Sequence, residues 1–124
     1  MNKPDQSDNV SLEKVQGIEK ELRKLGVLHA GETVECPDHI KITDVSDHAR
    51  ERMKERNITM EMAQGYVDNA LIKIRQIKDK DQYLAEDGTS IVVESGRLIT
   101  LFTKNEYDEP TRKKVEVAKK WLKT

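Results

Sequence analysis

A histidine and two arginines recur at four-residue intervals in the segment SDHARERMKERNIT, residues 46–59. Residues four apart in a helix lie one turn above another, so His48, Arg52 and Arg56 would share one face. Histidine exchanges protons near neutral pH, and the arginine fork binds a phosphate through two parallel hydrogen bonds. The pattern is therefore suited to acid–base chemistry on a phosphodiester, which needs both proton transfer and stabilisation of charge on phosphorus.

The same residues have a purely structural interpretation. An apolar stripe runs beside them and consists of Val45, Ala49 and Met53. The arginines therefore point towards the interior, where an unpaired charge is costly. Asp68 and Glu94 are candidate internal partners, and Arg56 could equally stabilise the helix dipole from the last turn. A cleft that binds a phosphate would explain the positions of both arginines and of His48 by a single function.

A second pair of basic residues lies in a segment with strand-like alternation. Lys73 and Arg75 fall on one side of this strand. There they would suit a track of phosphates or, equally, form a solvated face. His29, His39 and Cys36 have no partners at the spacing of metal ligands. We therefore expect no metal site and no cofactor.

Three helices are predicted to precede the strands. The first ends at Gly26, and its apolar stripe consists of Leu12, Val15, Ile18, Leu22 and Leu25. The second carries His48 and begins at an N-cap of Asp44 or Ser46. The third, MEMAQGYVDNAL, follows Thr59 as its N-cap. Between the first two helices, VLHAGETVE is interpreted as a short extended piece.

After the third helix the apolar period changes from 3.6 to two. Four segments then have the pattern of strands, at residues 71–77, 82–86, 90–94 and 97–103. Asp87-Gly88 and Ser95-Gly96 supply tight turns, and Pro110 opens a last helix. The inward face of that helix is predicted to be Val115, Ala118, Trp121 and Leu122. The predicted fold class is α+β, with N-terminal helices, a three- to four-stranded antiparallel β-meander and a C-terminal helix.

Composition limits the size of the core and the kind of partner. The chain has 124 residues, of which 35% are hydrophobic and 4% aromatic, so one domain with a small aliphatic core is expected. Its 22 Lys+Arg and 23 Asp+Glu give a net charge of −1, so any anion site must be local. The single cysteine excludes an internal disulfide. We expect neither a signal peptide nor a membrane span.

Charge is distributed unevenly along the chain. Residues 1–38 hold 5 Lys+Arg against 8 Asp+Glu, a net of −3, and residues 39–124 hold 17 against 15, a net of +2. Pro37 lies at the change and breaks regular structure. We expect an appended N-terminal helical segment over 1–38 and a functional domain over 39–124. The apolar stripe of the first helix must pack on that domain or on a second chain, so self-association through this helix is predicted as one option.

The helix motif HARERMKER is followed by NIT, a basic strand, a hairpin at EDG and the strand SGRLITLF. This order resembles the small nuclease domains of the Barnase–EndoU–colicin–RelE-like superfamily over about residues 39–107. The likeness is to domains at the C-termini of phage head-morphogenesis proteins and in bacterial polymorphic toxins. The motif is also similar to that of an uncharacterised family, H-A-x-x-R-M-x-x-R.

The resemblance implies metal-independent cleavage of RNA through attack of a ribose 2′-hydroxyl on phosphorus. His48 would then carry the proton, and Arg52 and Arg56 would bind the phosphate. Thr100 would match the polar strand residue that such domains place at the site, although threonine is also an ordinary strand former. Tyr83 would stack on a base or share in proton transfer.

Two functions of different classes follow. The first is a ribonuclease toxin that cleaves RNA, with tRNA as one candidate, in the bacterial cytoplasm. It would be delivered as part of a larger phage or toxin protein and neutralised by an immunity protein. The second is a non-catalytic, phage-derived structural, binding or regulatory module. Near-neutral charge favours the second, because nucleases commonly have a basic groove. The joint presence of His48, Arg52, Arg56 and Thr100 favours the first.

Overall fold

The structure, a computed structural model, describes residues 12–106 and 108–123. The described helices are α1 (Leu12–Lys24), α2 (Asp47–Glu55), α3 (Met60–Asp68) and α4 (Glu109–Leu122). The described strands are β1 (Thr33–Glu35), β2 (Asp44–Val45), β3 (Ile72–Arg75), β4 (Lys80–Leu84), β5 (Ser90–Glu94) and β6 (Arg97–Phe102). The predicted α+β class is confirmed.

The described strands form one mixed sheet in the order β1-β3-β4-β5-β6-β2. Strands β3 to β6 form an antiparallel meander, with turns at Asp87-Gly88 and Ser95-Gly96 as predicted. β1 pairs antiparallel with β3, and β2 pairs parallel with β6. The prediction of a purely antiparallel sheet with three or four strands is therefore wrong. β1 lies within the extended piece predicted at VLHAGETVE, but its pairing with β3 was not predicted. β2 has two residues, which is too short for an alternating pattern to be recognised.

Side-chain caps fix where the helices begin. Ser46 Oγ accepts a hydrogen bond from the N–H of Ala49 at 3.0 Å and donates to the carbonyl oxygen of Ile99 at 3.1 Å, so this cap joins α2 to β6. Thr59 caps α3 in the same way. The predicted caps Ser46 and Thr59 are confirmed, whereas Asp44 lies in β2. Asp108 caps α4, which therefore begins just before Pro110.

The sheet separates two hydrophobic clusters. On one side, called the α2/α3 face, these two helices cover Tyr83 and Leu101. On the other side, called the α1/α4 face, helices α1 and α4 cover Ile74 and Leu84. Neighbours such as Tyr83 and Leu84 belong to different clusters because successive side chains of a strand point to opposite faces.

Residues 12–38 contribute to the same sheet and to the same clusters as the rest of the chain. Val15, Ile18 and Leu22 of α1 are at most 4% exposed and pack with α4 on the α1/α4 face. β1 lies at one edge of the sheet. The predicted boundary at residue 38 therefore falls inside one continuous sheet, and these three residues of the stripe are covered within the chain. Self-association through α1 stays a prediction.

Candidate anion-binding site

The two arginines of the α2 motif converge on one carboxylate, that of Glu106. Nη2 of Arg52 lies 2.5 Å from Oε1 of Glu106. Arg56 donates from Nε to Oε2 at 2.5 Å and from Nη2 to Oε1 at 2.7 Å. Arg56 thus forms a two-pronged contact and Arg52 adds a third bond. Charge-assisted pairs of this forked kind are among the stronger hydrogen bonds in proteins.

Glu106 is also held by its own loop. The N–H and the hydroxyl of Thr103 both donate to Oε2, at 3.1 and 2.9 Å. The hydrogen bond from Arg56, those from Thr103 and the charge of Arg52 together lower the pKa of Glu106 to about 2. In return, Glu106 raises the pKa of Arg56. Arg52, Arg56 and Thr103 therefore form a cradle for one small anion, here called the anion cradle.

Arg52 also anchors α2 to the sheet. Its Nε donates to the carbonyl oxygen of Leu101 at 2.8 Å. Its guanidinium lies 4.8 Å from the centre of the Phe102 ring, which is within the range of a cation–π interaction. Its side chain is only 18% exposed. Arg52 therefore holds α2 against the end of β6 in addition to binding Glu106.

Glu106, rather than the predicted Asp68 or Glu94, is the acidic partner of both arginines. In the described part of the chain, Asp68 accepts a hydrogen bond from a glutamine of its own helix, and Glu94 is paired in register with Arg97. Glu106 follows β6 in an irregular loop. The sequence there has no helical or strand periodicity from which the position of Glu106 could be predicted. Its one local signal is the spacing from Thr103, T-x-x-E, which is typical of a capping box.

His48 lies in the first turn of α2, and its side chain is exposed. It precedes Arg52 by four residues, so the two side chains lie on the same side of the helix. The imidazole is therefore accessible to solvent on the helix that carries Arg52. The structure thus places His48 and Arg52 on α2 and Arg56 at the C-cap of the same helix.

Thr100 points away from this helix. Its neighbour Leu101 belongs to the cluster beneath α2 and α3, so strand alternation directs Thr100 to the α1/α4 face. Its partner across the strands is Val92. The Thr100 hydroxyl is buried and has no hydrogen-bond partner among the described residues. The structure therefore does not bring Thr100 together with His48.

Tyr83 is a core residue. It is 0% exposed, and its hydroxyl donates to Oδ1 of Asp38 at 2.5 Å. Burial and this hydrogen bond raise the pKa of Tyr83. A fully buried ring offers no open face on which a base could stack, so we do not place the predicted base-stacking role at Tyr83. A phenol with a raised pKa is also poorly suited to proton transfer near neutral pH.

Lys73 and Arg75 share one side of β3 and are ion-paired. The ammonium of Lys73 is buried, 3.2 Å from Asp38 and 3.3 Å from Glu35. Arg75 is half exposed and lies 3.4 Å from Asp81 and 3.7 Å from Glu35. A row of phosphates would have to displace these carboxylates. Both positive charges of β3 are therefore already paired with carboxylates of the fold.

No group of three or more His, Cys, Asp or Glu side chains is arranged to hold a metal ion in the part of the chain that the structure describes. No helix within residues 12–106 and 108–123 has the length and apolar character needed to cross a membrane.

No protein-family model, curated protein or solved structure matches the chain. The resemblance to the Barnase–EndoU–colicin–RelE-like nucleases therefore stays an interpretation of the α2 motif and of the hairpin that follows it. The chemistry of the site rests on its own residues. These are an anion cradle and an exposed imidazole on the same side of one helix.

Proposed function

We propose that the domain is a metal-independent endoribonuclease that binds the scissile phosphate of RNA in the anion cradle. The observation that supports this proposal is the convergence of Arg52 and Arg56 on the single carboxylate of Glu106. A phosphate presents the same kind of acceptor oxygens as a carboxylate, and the arginine fork binds both. The donors that now hold Glu106 are therefore the donors that a scissile phosphate needs.

In the proposed reaction, the ribose O2′ forms a bond to phosphorus and gives its proton to water. The bond from phosphorus to O5′ breaks, and the leaving O5′ takes a proton from His48. The products are a 2′,3′-cyclic phosphate and a free 5′-hydroxyl. Arg52 and Arg56 stabilise the charge that develops on the phosphoryl oxygens.

Glu106 must leave the anion cradle before a phosphate can enter it. Its own carboxylate is a poor candidate for the general base, because a group with a pKa of about 2 has little affinity for a proton near neutral pH. Its proposed role is therefore to occupy the cradle in the absence of RNA.

A non-catalytic binding or structural module is the second candidate, and specific observations favour it. Glu106 already fills the anion cradle, Thr100 is directed to the opposite face of the sheet, and Tyr83 is fully buried in the core. In this account, the pairing of Arg52 and Arg56 with Glu106 only fastens the loop after β6 to helix α2.

The ribonuclease proposal extends to a biological setting. As a toxin, the domain would cleave cellular RNA in the bacterial cytoplasm after delivery within a larger phage or toxin protein. An immunity protein would neutralise it by covering the exposed side of α2 around His48.

RNA cleavage by the purified full chain in the presence of EDTA tests the proposed function. We expect fragments that end in a 2′,3′-cyclic phosphate, from tRNA or from longer RNA, and growth arrest when the chain is expressed in a bacterium. The chain with His48→Ala, purified in the same way, controls for contaminating nucleases. Intact RNA and normal growth with a folded wild-type chain would favour the non-catalytic module.

A further inference from the structure

A groove of about 390 Å³ opens beside the anion cradle. Arg56 belongs to both, because it binds Glu106 on one side and lines the groove on the other. The opposite walls come from α3, which contributes Met62 and Tyr66, and from the loop after β6, which contributes Lys104 and Asn105. The volume lies within the range of sites that bind small molecules, about 300–1,000 Å³.

The walls of the groove match the parts of a nucleotide. Tyr66 is half-buried and packs against the cluster beneath α3, so its ring is a supported surface on which a base can stack. The charges of Arg56 and Lys104 suit the phosphates on either side of that base. The amide of Asn105 and the carboxylate of Asp87 can bond to donors and acceptors on the base edge.

The charge of Asp87 also indicates how the base and the phosphate of a nucleotide would be oriented in the groove. Its Oδ1 accepts a hydrogen bond from the N–H of Thr89 at 2.8 Å, so the carboxylate is held at the turn between β4 and β5. A fixed negative charge repels a phosphate but attracts the amino group of a base. In the proposed groove, the amino group of the base would therefore lie beside Asp87, and the phosphate would lie beside Arg56.

We propose that this groove binds one nucleotide of single-stranded RNA, with its base stacked on Tyr66, next to the phosphate held by Arg52 and Arg56. This inference rests on the proposed function, since it takes RNA as the substrate. It also replaces the base-stacking role first predicted for Tyr83, which is buried, by Tyr66, which lines an open groove.

Binding of an uncleavable RNA by the full chain tests the groove separately from catalysis. The probe is a fluorescein-labelled five-nucleotide RNA with 2′-O-methyl riboses, and fluorescence anisotropy gives the Kd. Tyr66→Leu keeps an apolar side chain but removes the ring, so it should raise the Kd by about 5- to 150-fold, the usual effect of losing one stacked base. Tyr66→Phe keeps the ring and should leave the Kd within about two-fold of the wild-type value.

A second variant avoids the core. Asn105 is exposed, so Asn105→Ala should fold normally and should reduce the difference in Kd between probes of different base sequence. Equal Kd values for Tyr66→Leu and Tyr66→Phe, or a wild-type chain that does not bind the probe, would overturn the proposed groove.

The two proposals can fail independently. If RNA is cleaved and Tyr66→Leu leaves the KM unchanged, the groove is wrong and the ribonuclease stands. If the probe binds through Tyr66 but no RNA is cleaved, the groove stands and the ribonuclease is wrong.

Discussion

Nη2 of Arg52 lies 2.5 Å from Oε1 of Glu106, although 54 positions separate the two residues in the chain. This pair, with Arg56 on the same carboxylate, explains why α2 directs two arginines towards the protein. The loop after β6 supplies the negative charge that they need. The proposed binding of a phosphate by the same arginines rests on this contact, because a phosphate presents acceptor oxygens like those of a carboxylate.

Replacing Glu106 by Gln should destabilise the fold by about 1–3 kcal/mol, because hydrogen bonds to an ionised group are worth more than neutral ones. Glu55→Gln is the matched control. Glu55 also bonds Arg56, at 2.8 Å, but its side chain is 60% exposed, so its loss should cost less than about 0.5 kcal/mol. Urea unfolding measures both values. Equal losses would show that the cradle is no stronger than a surface ion pair.

Acid should weaken the fold through the same carboxylate. The contacts with Arg56, Thr103 and Arg52 lower the pKa of Glu106 from 4.5 to about 2, so the ionised form favours the folded state. This contribution is complete above about pH 4.5 and is lost as the pH falls towards 2. The Tm of the wild-type chain should therefore fall more steeply over this window than the Tm of Glu106→Gln. Parallel curves for the two chains would contradict this assignment.

Local patterns predicted the elements of the site but not its partner. The spacing of His48, Arg52 and Arg56 and the cap Ser46 are properties of one helix, and helical periodicity detects them. Glu106 lies in an irregular loop whose position depends on the path of the whole sheet. The pairing therefore required the structure, although the spacing from Thr103 indicated a local turn.

The burial of the Thr100 hydroxyl and of Tyr83 was difficult to predict from the sequence for a common physical reason. Thr100 and Tyr83 lie in strands whose neighbours on both faces are apolar, since both sides of the sheet carry helices. In such strands the alternation of polar and apolar residues no longer shows which face is buried. The edge strand β2 could not be predicted for a different reason, because a pattern of two residues carries little information.

Tyr83→Phe should lower stability by about 1–2 kcal/mol, because it removes a hydrogen bond to the ionised carboxylate of Asp38. Burial raises the pKa of Asp38, but the hydrogen bonds from Tyr83 and Lys73 outweigh burial and lower it. The ring itself remains, so the core should stay packed. Urea unfolding gives the stability, and RNA cleavage should be unchanged, because Tyr83 is outside the proposed site. If Tyr83→Phe lost cleavage while its stability was unchanged, the Tyr83 hydroxyl would have a direct role in the reaction.

Deletion of residues 1–36 should abolish cooperative folding. The deletion removes α1 and β1 with five apolar side chains that are each at most 8% exposed, namely Val15, Ile18, Leu22, Val27 and Val34. At about 1.5–3 kcal/mol each, their burial is comparable to the total stability of a typical domain, about 5–15 kcal/mol. Circular dichroism during urea titration measures the effect. Leu12→Ala is the control, because Leu12 is 70% exposed and its replacement should change little. A truncated chain that unfolds cooperatively would support the predicted boundary at residue 38.

His48→Ala and Arg52→Lys should both reduce RNA cleavage, but only the second should reduce stability. His48 is exposed, so its removal should lower the cleavage rate by about 10²–10⁴-fold with little change in Tm. Arg52 donates hydrogen bonds to Leu101 and Glu106 from one planar guanidinium group. Lysine has no such group and cannot reproduce both hydrogen bonds. Arg52→Lys should therefore lower both the Tm and the cleavage rate.

Arg50→Ala, at an exposed position of the same helix, controls for the loss of a surface charge and should affect neither the Tm nor the cleavage rate. Undiminished cleavage by a folded His48→Ala chain would exclude His48 as the proton donor, because protonation of the leaving O5′ would then proceed at the full rate without an imidazole at this position.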